Sequence, residues 1–326
     1  MNNKRIKLCL VCTAGGHFEQ LSNLDNFYNN YDHFWITNSN KQTTSALMNE
    51  NKYFIHSAHY KKPWEYLVHV KKIFKIFHDE KPTHFISTGS GRTALIPYLM
   101  AKLLRLNIIY IETFSRVNHL TLNAKLVRMF GDSVYTQWQS EIKNTTYLGP
   151  VFRSSNSGSM IKTGENSHIF VSLGTRREPF VRLVKSVEQL VMNGTIKQNV
   201  IVQAGCTKYS STHLKIFDFC PAEEIEELIK NATYIITQES AGIVNKCLKY
   251  GKPFLVMPRD YSFQELPSKH DMQEDLQYKL EELGFTKVVT NMEELTLGIQ
   301  NIDKLKTGFE FNNNEVVNKL NTIVKN

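Results

Sequence analysis

The 326-residue chain lacks the long hydrophobic runs and the cysteine patterns that would assign it to a membrane or secreted class. No stretch of about 18 uncharged apolar residues occurs, so we expect no transmembrane helix. Lys4 to Cys12 places basic residues before an apolar run, but Gly15 and Gly16 follow where a signal peptide would continue, so this run reads as a strand. The five cysteines are odd in number and share no spacing, which favours a reducing cytoplasm.

Redox, dehydrogenase and nucleic-acid motifs are missing too. Cys9 and Cys12 form a Cys-x-x-Cys pair, but residues three apart in a strand point to opposite faces of a sheet, so no redox or zinc site is expected there. Neither glycine-rich turn reads Gly-x-Gly-x-x-Gly, which disfavours a Rossmann dehydrogenase. The chain also lacks interleaved aromatic and basic strands, so nucleic acid is not an expected partner.

What is present is the composition of an ordinary globular protein, with 41% hydrophobic and 21% charged residues. Its formal charge of +8 is unevenly distributed along the chain. Residues 1–153 hold 19 Lys and Arg against 10 Asp and Glu, whereas the remainder holds 20 against 21. A basic first half favours an anionic partner such as a phosphate group or a membrane surface.

Short apolar strands alternate with helical patterns along the whole chain, which predicts an α/β fold with parallel sheets covered on both faces. Residues 153–166 are rich in serine, glycine and asparagine and have the composition of a linker. We therefore predict two Rossmann-like, doubly wound domains, at 1–152 and 167–326. Two such domains in series place a ligand cleft between the carboxyl ends of their strands.

The stretch from Tyr234 to Arg259 shows this alternation in one run. A short apolar strand leads into the small, polar residues Gln238 to Gly242, and a helix and a second strand follow. Such a turn offers backbone N–H groups and the positive end of a helix dipole to an anion. The same pattern also suits an ordinary strand-to-helix turn, and this stretch alone does not separate the two interpretations.

Apolar residues recur at helical spacing from Lys61 to Phe77, and lysines surround them. A basic amphipathic helix of this kind can lie on an anionic membrane. The alternative is that the apolar stripe packs on the protein core and the lysines are simply solvated.

The segment Ile109–Val117 reads IYIETFSRV, and a Gln-Trp pair follows the next predicted strand. Together with AGGH at Ala14–His17 and the strand, loop and helix around Gly89–Leu104, these motifs resemble the membrane-recruiting, acceptor-side subunit of the eukaryotic dolichol-linked UDP-GlcNAc transferase and its bacterial polysaccharide homologues. The resemblance covers most of residues 5–152.

Residues 168–290 resemble the donor-side partner of that subunit, through FVSLGT at Phe170–Thr175, VQAG at Val202–Gly205 and the Tyr234–Arg259 stretch. One position departs from the pattern. Counting back from the Gly-Lys-Pro segment, Lys246 stands where related enzymes have a glutamate that holds the ribose hydroxyls. The order of the halves suggests a natural fusion of the two subunits, arranged like the single-chain transferase that makes peptidoglycan lipid II.

The resemblance implies an inverting, metal-independent glycosyltransferase of the GT-B fold, similar to family 28. It would move GlcNAc, a hexose or a hexuronic acid from a UDP-sugar to a polyprenyl-diphosphate-linked saccharide, with a β-1,4 linkage and without a cofactor. It would act in the cytoplasm, peripherally on the inner face of the cytoplasmic membrane, in capsule or exopolysaccharide synthesis on undecaprenyl diphosphate. Independently, the sequence contains no Asp-x-Asp, the usual carboxylate pair for a catalytic divalent ion in the other glycosyltransferase fold.

Inversion requires a base that takes the proton of the acceptor hydroxyl and has a pKa near the working pH. His17, in the turn before a helix, and Glu112, at the carboxyl end of a strand, are both candidates, and the sequence does not choose between them. Each also has a purely structural interpretation. His17 can cap or pack against a helix, and Glu112 can form a salt bridge with Arg116.

Helix N-termini and cations at the strand-to-helix turns would stabilise the leaving UDP and hold the acceptor diphosphate. The predicted acceptor-binding residues are Gly15, Gly16, Ser90, Gly91, Arg92 and Arg116. The predicted donor-binding residues are Gly174, Thr175, Arg176, Gln203, Gly205, Phe219, Gln238, Glu239, Ser240, Ala241, Gly242, Lys246, His270, Asp271 and Gln273.

Two other functions stay open from the sequence alone. A UDP-sugar epimerase or hydrolase would keep the donor turn and need no lipid acceptor. A degenerate transferase that serves as a non-catalytic membrane scaffold would explain the departure at Lys246.

Overall fold

The computed structural model describes residues 5–56, 63–89, 92–153, 167–268, 275–309 and 313–325, with the backbone alone at 63–67 and 92. The chain divides into two compact units. Unit 1 comprises Met1–Arg153 and Phe311–Asn326, and unit 2 comprises Ser154–Glu310. No helix in the described part of the chain combines the length and the apolar character needed to cross a membrane.

Unit 1 is built on a seven-stranded parallel sheet. Its strands are β1 (Lys7–Val11), β2 (Asp32–Thr37), β3 (Lys52–Phe54), β4 (His84–Ser87), β5 (Asn107–Ile111), β6 (Val134–Thr136) and β7 (Thr145–Tyr147), in the order β3-β2-β1-β4-β5-β6-β7. Its helices are α1 (Gly16–Ser22), α2 (Asp25–Tyr28), α3 (Lys41–Ala46), α4 (Pro63–Glu80), α5 (Arg92–Leu103), α6 (Leu122–Met129) and, from the end of the chain, α12 (Asn313–Lys325). The amphipathic pattern that begins at Lys61 thus forms a helix of 18 residues.

Both faces of this sheet are buried, as a parallel sheet requires. Leu8 and Leu10 of β1 face one core, and Cys9 and Val11 face the other. Cys12 lies in the first core, so the Cys-x-x-Cys pair points to opposite faces as predicted. Burial raises the pKa of the Cys12 thiol to about 12, with the Thr37 hydroxyl opposing it, so this thiol is inert at neutral pH.

The predicted second domain, 167–326, includes helix α12, which in the structure packs on unit 1. Its apolar face, which includes Val316 and Leu320, is buried in the same core as α1 and α2. Those two helices are only 7 and 4 residues long, so α12 supplies apolar surface that they leave unfilled. The side-chain amide of Asn313 fixes the start of α12, with bonds of 2.6 Å to the Asn23 carbonyl and 2.7 Å to the Val151 carbonyl.

Unit 2 is built on a six-stranded parallel sheet in the order β10-β9-β8-β11-β12-β13. Its strands are β8 (His168–Ser172), β9 (Asn199–Gln203), β10 (Lys215–Phe217), β11 (Ala232–Thr237), β12 (Phe254–Val256) and β13 (Thr286–Val288). Its α-helices are α7 (Val181–Met192), α8 (Ala222–Asn231), α9 (Ala241–Lys249), α10 (Asp275–Glu282) and α11 (Met292–Gln300). The predicted α/β class and the two doubly wound, Rossmann-like sheets are confirmed.

Each sheet reverses its winding direction once. In unit 1 the chain winds outward from β1 through β2 to β3, then returns to β4 on the other side of β1. In unit 2 it winds outward from β8 to β10 and returns to β11 beside β8. The loops on either side of such a reversal diverge and leave a crevice at the carboxyl ends of the two strands, where open α/β sheets bind ligands. We call these two places the switch points of unit 1 and unit 2.

Candidate functional site

His17 lies at the switch point of unit 1, where β1 and β4 end. Its ring Nδ1 lies 2.7 Å from the carbonyl oxygen of Thr88, the residue that follows β4. The Thr88 hydroxyl returns a bond of 2.8 Å to the His17 carbonyl. The turn after β1 and the turn after β4, 71 residues apart in sequence, are therefore joined by two reciprocal bonds from a side chain to a backbone carbonyl.

The bond to Thr88 also fixes the protonation pattern of the imidazole. A carbonyl oxygen only accepts, so Nδ1 carries the hydrogen, and Nε2 of the neutral ring keeps its lone pair. Burial lowers the pKa of His17 below its ordinary value, and the Thr88 bond opposes part of that effect. His17 is only half-buried, so a neutral, accessible proton acceptor is available at neutral pH.

The glycine turn before His17 offers fewer free backbone N–H groups than the sequence suggests. The backbone N–H of Gly15 already donates to the side-chain oxygen of Gln42, at 2.9 Å. Gly16 begins helix α1 and is exposed, so its amide is the freer of the two. Of the other predicted acceptor-binding residues, Ser90, Gly91 and the side chain of Arg92 lie outside the described residues.

Glu112, the other candidate base, is only 1% exposed. One carboxylate oxygen accepts from the Thr113 amide at 2.8 Å, and the other accepts from the amide and hydroxyl of Thr121, at 2.7 and 3.0 Å. Burial raises its pKa, while these bonds and the charge of Arg116 oppose the rise. Glu112 thus closes the loop between β5 and α6, whose N-cap is Thr121. Arg116, predicted both as its salt-bridge partner and as an acceptor ligand, acts on it at longer range and is half-buried.

Two buried glutamines that sequence reasoning missed hold the same loop from below. The Gln20 oxygen accepts from the Phe114 amide at 2.9 Å and from the Gln137 side chain at 2.6 Å. Gln137 also donates to the Glu112 carbonyl, at 2.9 Å, and Trp138 donates its indole N–H to the Phe114 carbonyl, at 2.7 Å. The Gln-Trp motif therefore serves to position the loop that follows Glu112. We call this loop, residues 113–121, the β5 loop.

Three turns meet at the switch point of unit 2. Gly174 follows β8, Gly205 follows β9 and Gln238 follows β11, and both glycines have positive φ angles, of 75° and 61°. A Cβ atom on Gly174 would overlap the side-chain amide of Gln238, and one on Gly205 would overlap the Gly174 carbonyl. Only glycine allows both this backbone conformation and this approach.

Helix α9 begins at this switch point with unsatisfied donors. Its N-cap, Ser240, makes no side-chain capping bond, and the first helical bond is donated by Val244. Within the described residues, the amides of Ala241, Gly242 and Ile243 therefore donate no hydrogen bond. Ser240, Ala241 and Gly242 are half-buried or exposed, as is Thr175 in the β8 turn. This is the arrangement that binds anions at helix N-termini.

Arg259, to which the sequence analysis gave no role, ties these turns together. Its side chain is 2% exposed and lies after β12. The guanidinium donates to the carbonyls of Leu173 and Glu178, both at 2.7 Å, and to the side-chain oxygen of Gln238. The sequence signal for this role was the position of the cation shortly after a buried strand. A buried arginine needs several hydrogen-bond acceptors, so it is expected to bond to the turns around it.

Glu239 lies beside Arg259 in the β11 turn. One of its oxygens accepts from the Arg259 amide at 2.9 Å, and the other is buried with no hydrogen-bond partner among the described residues. Burial raises the pKa of Glu239, while the Arg259 amide and the charges of Arg259 and Arg176 oppose the rise. The predicted donor residues Gln238, Glu239 and Arg176 are thus brought together around a buried cation.

The other residues predicted to bind the UDP-sugar donor are spread over unit 2. Gln203 is buried, and its side-chain oxygen accepts from the Ser172 hydroxyl at 2.8 Å. Phe219, 56% exposed, follows the edge strand β10. His270, Asp271 and Gln273 lie outside the described residues. Among the described residues, no group of three or more His, Cys, Asp or Glu side chains could hold a metal ion.

Comparison with protein families gives two matches that divide the chain near the predicted linker. Residues 37–151 match the family described as oligosaccharide biosynthesis protein Alg14 like. Residues 168–325 match the glycosyltransferase family 28 C-terminal domain. The chain is an Alg14-like segment fused to a family 28 glycosyltransferase domain. The resemblance found in the sequence is confirmed, and the chain is placed among the family 28 UDP-glycosyltransferases.

Solved structures show that this glycosyltransferase shares its whole fold with proteins of very different sequence. MurG from Acinetobacter baumannii aligns at 14% identity with a TM-score of 0.64, covering 98% of this chain and 100% of that one. A putative UDP-N-acetylglucosamine 2-epimerase from Listeria monocytogenes aligns at 13% identity with a TM-score of 0.72, covering 98% and 96%. The 2-epimerase from Methanocaldococcus jannaschii, in complex with UDP-GlcNAc and UDP, aligns at 15% identity with a TM-score of 0.64, covering 98% and 100%. No curated protein sequence matches the chain.

Lys246 was predicted to stand where related enzymes have a glutamate, and the structure shows what the lysine contacts. Its ammonium lies 3.3 Å from a carboxylate oxygen of Glu226, on helix α8. The Tyr250 hydroxyl donates to the other oxygen of Glu226. Although burial raises it, these bonds lower the pKa of Glu226 to about 2. Lys246 therefore links α9 to α8 through an ion pair.

Proposed function

We propose that this protein transfers a sugar from a UDP-sugar to a polyprenyl-diphosphate-linked saccharide, with inversion of configuration, in the synthesis of a bacterial surface polysaccharide. The observation that carries the proposal is the pairing of an Alg14-like segment with a family 28 glycosyltransferase domain in one chain. The acceptor, the surface-polysaccharide context, undecaprenyl diphosphate as the carrier and a β-1,4 linkage are parts of this proposal.

In the proposed reaction, unit 2 binds the UDP-sugar at its switch point. The unsatisfied amides of Ala241 and Gly242 at the start of α9 support this, since they suit a diphosphate. Arg176 adds a cation in the neighbouring turn. The structure that resembles this chain and is in complex with UDP-GlcNAc and UDP also supports a UDP-sugar as the ligand.

Unit 1 supplies the base. Nε2 of His17 takes the proton of an acceptor hydroxyl as that oxygen bonds to the anomeric carbon of the donor sugar. The bond from the anomeric carbon to UDP breaks on the opposite face, and its electron pair leaves with the β-phosphate, whose charge the α9 amides stabilise. We assign His17 rather than Glu112 this role because Glu112 is 1% exposed and both of its oxygens already accept hydrogen bonds.

A membrane surface is the proposed place of reaction. Helices α4, α5 and α6 contribute to the same core, so they cover one face of the unit 1 sheet. Their other sides carry large exposed apolar residues, namely Val68 and Phe74 on α4, Leu99 and Leu103 on α5, and Leu122 and Met129 on α6. Exposed lysines at 71, 72, 75 and 125 lie among them. An anionic membrane attracts such a surface through both the apolar residues and the lysines.

Replacing Lys71, Lys72 and Lys75 together by glutamine should weaken sedimentation with anionic liposomes, because each lysine near a membrane contributes about 1 kcal/mol. The matched control replaces the exposed Lys185, Lys197 and Lys215 of unit 2 by glutamine. Equal sedimentation of the two variants would rule out the membrane role of α4.

The decisive experiment incubates the purified chain with a panel of UDP-sugars, with and without a short-chain polyprenyl-diphosphate sugar. UDP release and the mass of the lipid product are measured together, with and without EDTA. UDP release that depends on the acceptor, with one added sugar mass and no effect of EDTA, supports an inverting transferase that needs no metal ion.

Other outcomes of the same experiment separate the alternative functions. A UDP-sugar isomerised without acceptor would replace the proposal by an epimerase, the activity named for several proteins of this fold. Free sugar without a lipid product would indicate a hydrolase. Neither turnover nor UDP-sugar binding would favour a non-catalytic scaffold.

A further inference from the structure

A pocket of about 600 Å³ opens in unit 1, away from the His17 turn. It lies between the β5 loop and the segment that follows β6. Its lining comprises Asn118, Gln139, Ser140, Glu141 and Ile142. A volume of this size falls within the range of pockets that bind small organic ligands.

We propose that this pocket binds the neutral saccharide unit of the acceptor. The inference rests on the proposed function, which requires unit 1 to hold a lipid-linked saccharide.

The chemistry of the lining selects a polyhydroxylated ligand. Two exposed side-chain amides donate and accept hydrogen bonds, and an exposed carboxylate accepts them, which matches the hydroxyl groups of a sugar. Ile142 adds an apolar surface for the C–H face of a sugar ring.

Charge excludes the other components of the acceptor. Among the described residues of the lining Glu141 is the only charged one, so a phosphate group or a hexuronic acid would meet a like charge there. The described part of the lining also contains no aromatic side chain on which a nucleobase would stack. A prenyl chain would leave the amides and the carboxylate without partners. A neutral sugar avoids all of these costs.

The pocket has firm walls and a suitable position. Trp138, directly before the lining segment, bonds to the Phe114 carbonyl at 2.7 Å, and the two rings lie 4.7 Å apart. These contacts tie one wall to the other. Strands β4, β5 and β6 are adjacent in the sheet, so the β6 end lies two strand spacings, roughly 10 Å, from the β4 end where His17 is held. A saccharide in the pocket would extend toward the base.

The test uses the full-length chain with Asn118→Ala, Gln139→Ala and Glu141→Gln, and with Lys143→Ala as the control. Lys143 is exposed on the same segment and does not line the pocket. For a short-chain polyprenyl diphosphate carrying a neutral hexose, each alanine variant should raise KM by about tenfold with kcat nearly unchanged, as expected for one lost hydrogen bond. The KM for the UDP-sugar should stay the same. An unchanged acceptor KM in all three variants overturns the proposal.

Direct binding separates this inference from the proposed function. Saturation-transfer NMR with methyl β-glucoside should show a signal that Asn118→Ala and Gln139→Ala weaken. Methyl glucuronide should give a signal only with Glu141→Gln, because that variant removes the like charge. If the wild-type chain transfers no sugar but shows this pattern, the pocket is a saccharide site and the transferase proposal fails. If it transfers sugar without this pattern, the transferase proposal stands and the pocket inference fails.

Discussion

At the centre of the unit 1 sheet, β1 and β4 end beside a half-buried histidine, whereas β8 and β11 of unit 2 end beside a fully buried arginine. His17 has one ring nitrogen bonded to Thr88 and the other left to accept a proton. The donors of Arg259 bond to carbonyls and to Gln238, and within the described residues the N–H groups left without acceptors nearby are the amides at the start of α9. The same topology thus presents a proton acceptor in one unit and hydrogen-bond donors in the other.

This difference indicates that the two units have different chemical roles. A proton acceptor suits the hydroxyl that attacks, and N–H donors suit the diphosphate that leaves. The rigid parts differ accordingly. In unit 1 a hydrogen-bond network of Gln20, Gln137 and Glu112 positions the β5 loop, while in unit 2 a buried cation positions three turns. Four substitutions test this division, given from the largest expected effect to the smallest.

His17→Ala removes the proposed base and should lower kcat/KM by about 10²- to 10⁴-fold, the range for loss of a general base. UDP-sugar binding, measured by calorimetry, should remain. Because burial lowers the pKa of His17, the wild-type activity should fall with acidity only below the ordinary histidine pKa, as the ring becomes protonated. Wild-type turnover in the variant, with an unshifted pH profile, would remove His17 from the mechanism.

Arg259→Met should destabilise the protein by about 3–5 kcal/mol, because it leaves the buried Leu173 carbonyl and the Gln238 side-chain oxygen without their donor and removes the positive charge beside Glu239. Denaturant unfolding and UDP affinity should both be affected. Arg259→Lys keeps the charge but not the planar fork, and should be intermediate. The control is Lys185→Met, at an exposed position of α7, which should change neither the unfolding free energy nor the UDP affinity. Full UDP affinity in Arg259→Met would show that the bonds from Arg259 to the turns are not needed for donor binding.

Glu112→Gln tests whether this residue positions a loop or acts as the base. An amide in place of the carboxylate faces the Thr121 N–H with a donor, so we expect a loss of about 1–3 kcal/mol in unfolding free energy. The β5 loop should become more sensitive to proteolysis, and the acceptor KM should rise more than kcat falls. A loss of kcat as large as that of His17→Ala, with unchanged stability, would instead assign the base to Glu112.

Lys246→Glu introduces the residue that the sequence resemblance predicts for related enzymes, but places it beside Glu226. The two carboxylates should repel, at a cost of roughly 1 kcal/mol for a partly exposed pair, seen as a lower Tm. The double variant with Glu226→Lys should recover most of this loss, since the ion pair is re-formed in reverse. A Tm for Lys246→Glu equal to that of the wild type would show that the Lys246–Glu226 pair does not contribute to stability.

Much of the candidate site could be predicted because its signals are local. Gly174, Ser240 and Gly242 lie between a strand and a helix, and small residues there indicate a turn with exposed amides. The helical stripe at 61–77 could be recognised in the same way. The element that such a stripe packs against could not be predicted, because an amphipathic pattern shows a helix and one buried face but not its partner. For this reason α12 was assigned to the wrong unit.

The sequence by itself determined the α/β class, the two halves, the turns and the family, because periodicity and motifs are carried by neighbouring residues. Only the tertiary structure decided the strand order, and with it the meeting of the β1 and β4 turns at His17 and of the β8 and β11 turns at Gly174. It also revealed Arg259, Gln20 and Gln137, whose hydrogen-bond partners include residues 86, 94 and 117 positions away. Parallel strands pair only through long crossovers, so no local pattern records which turns will come together.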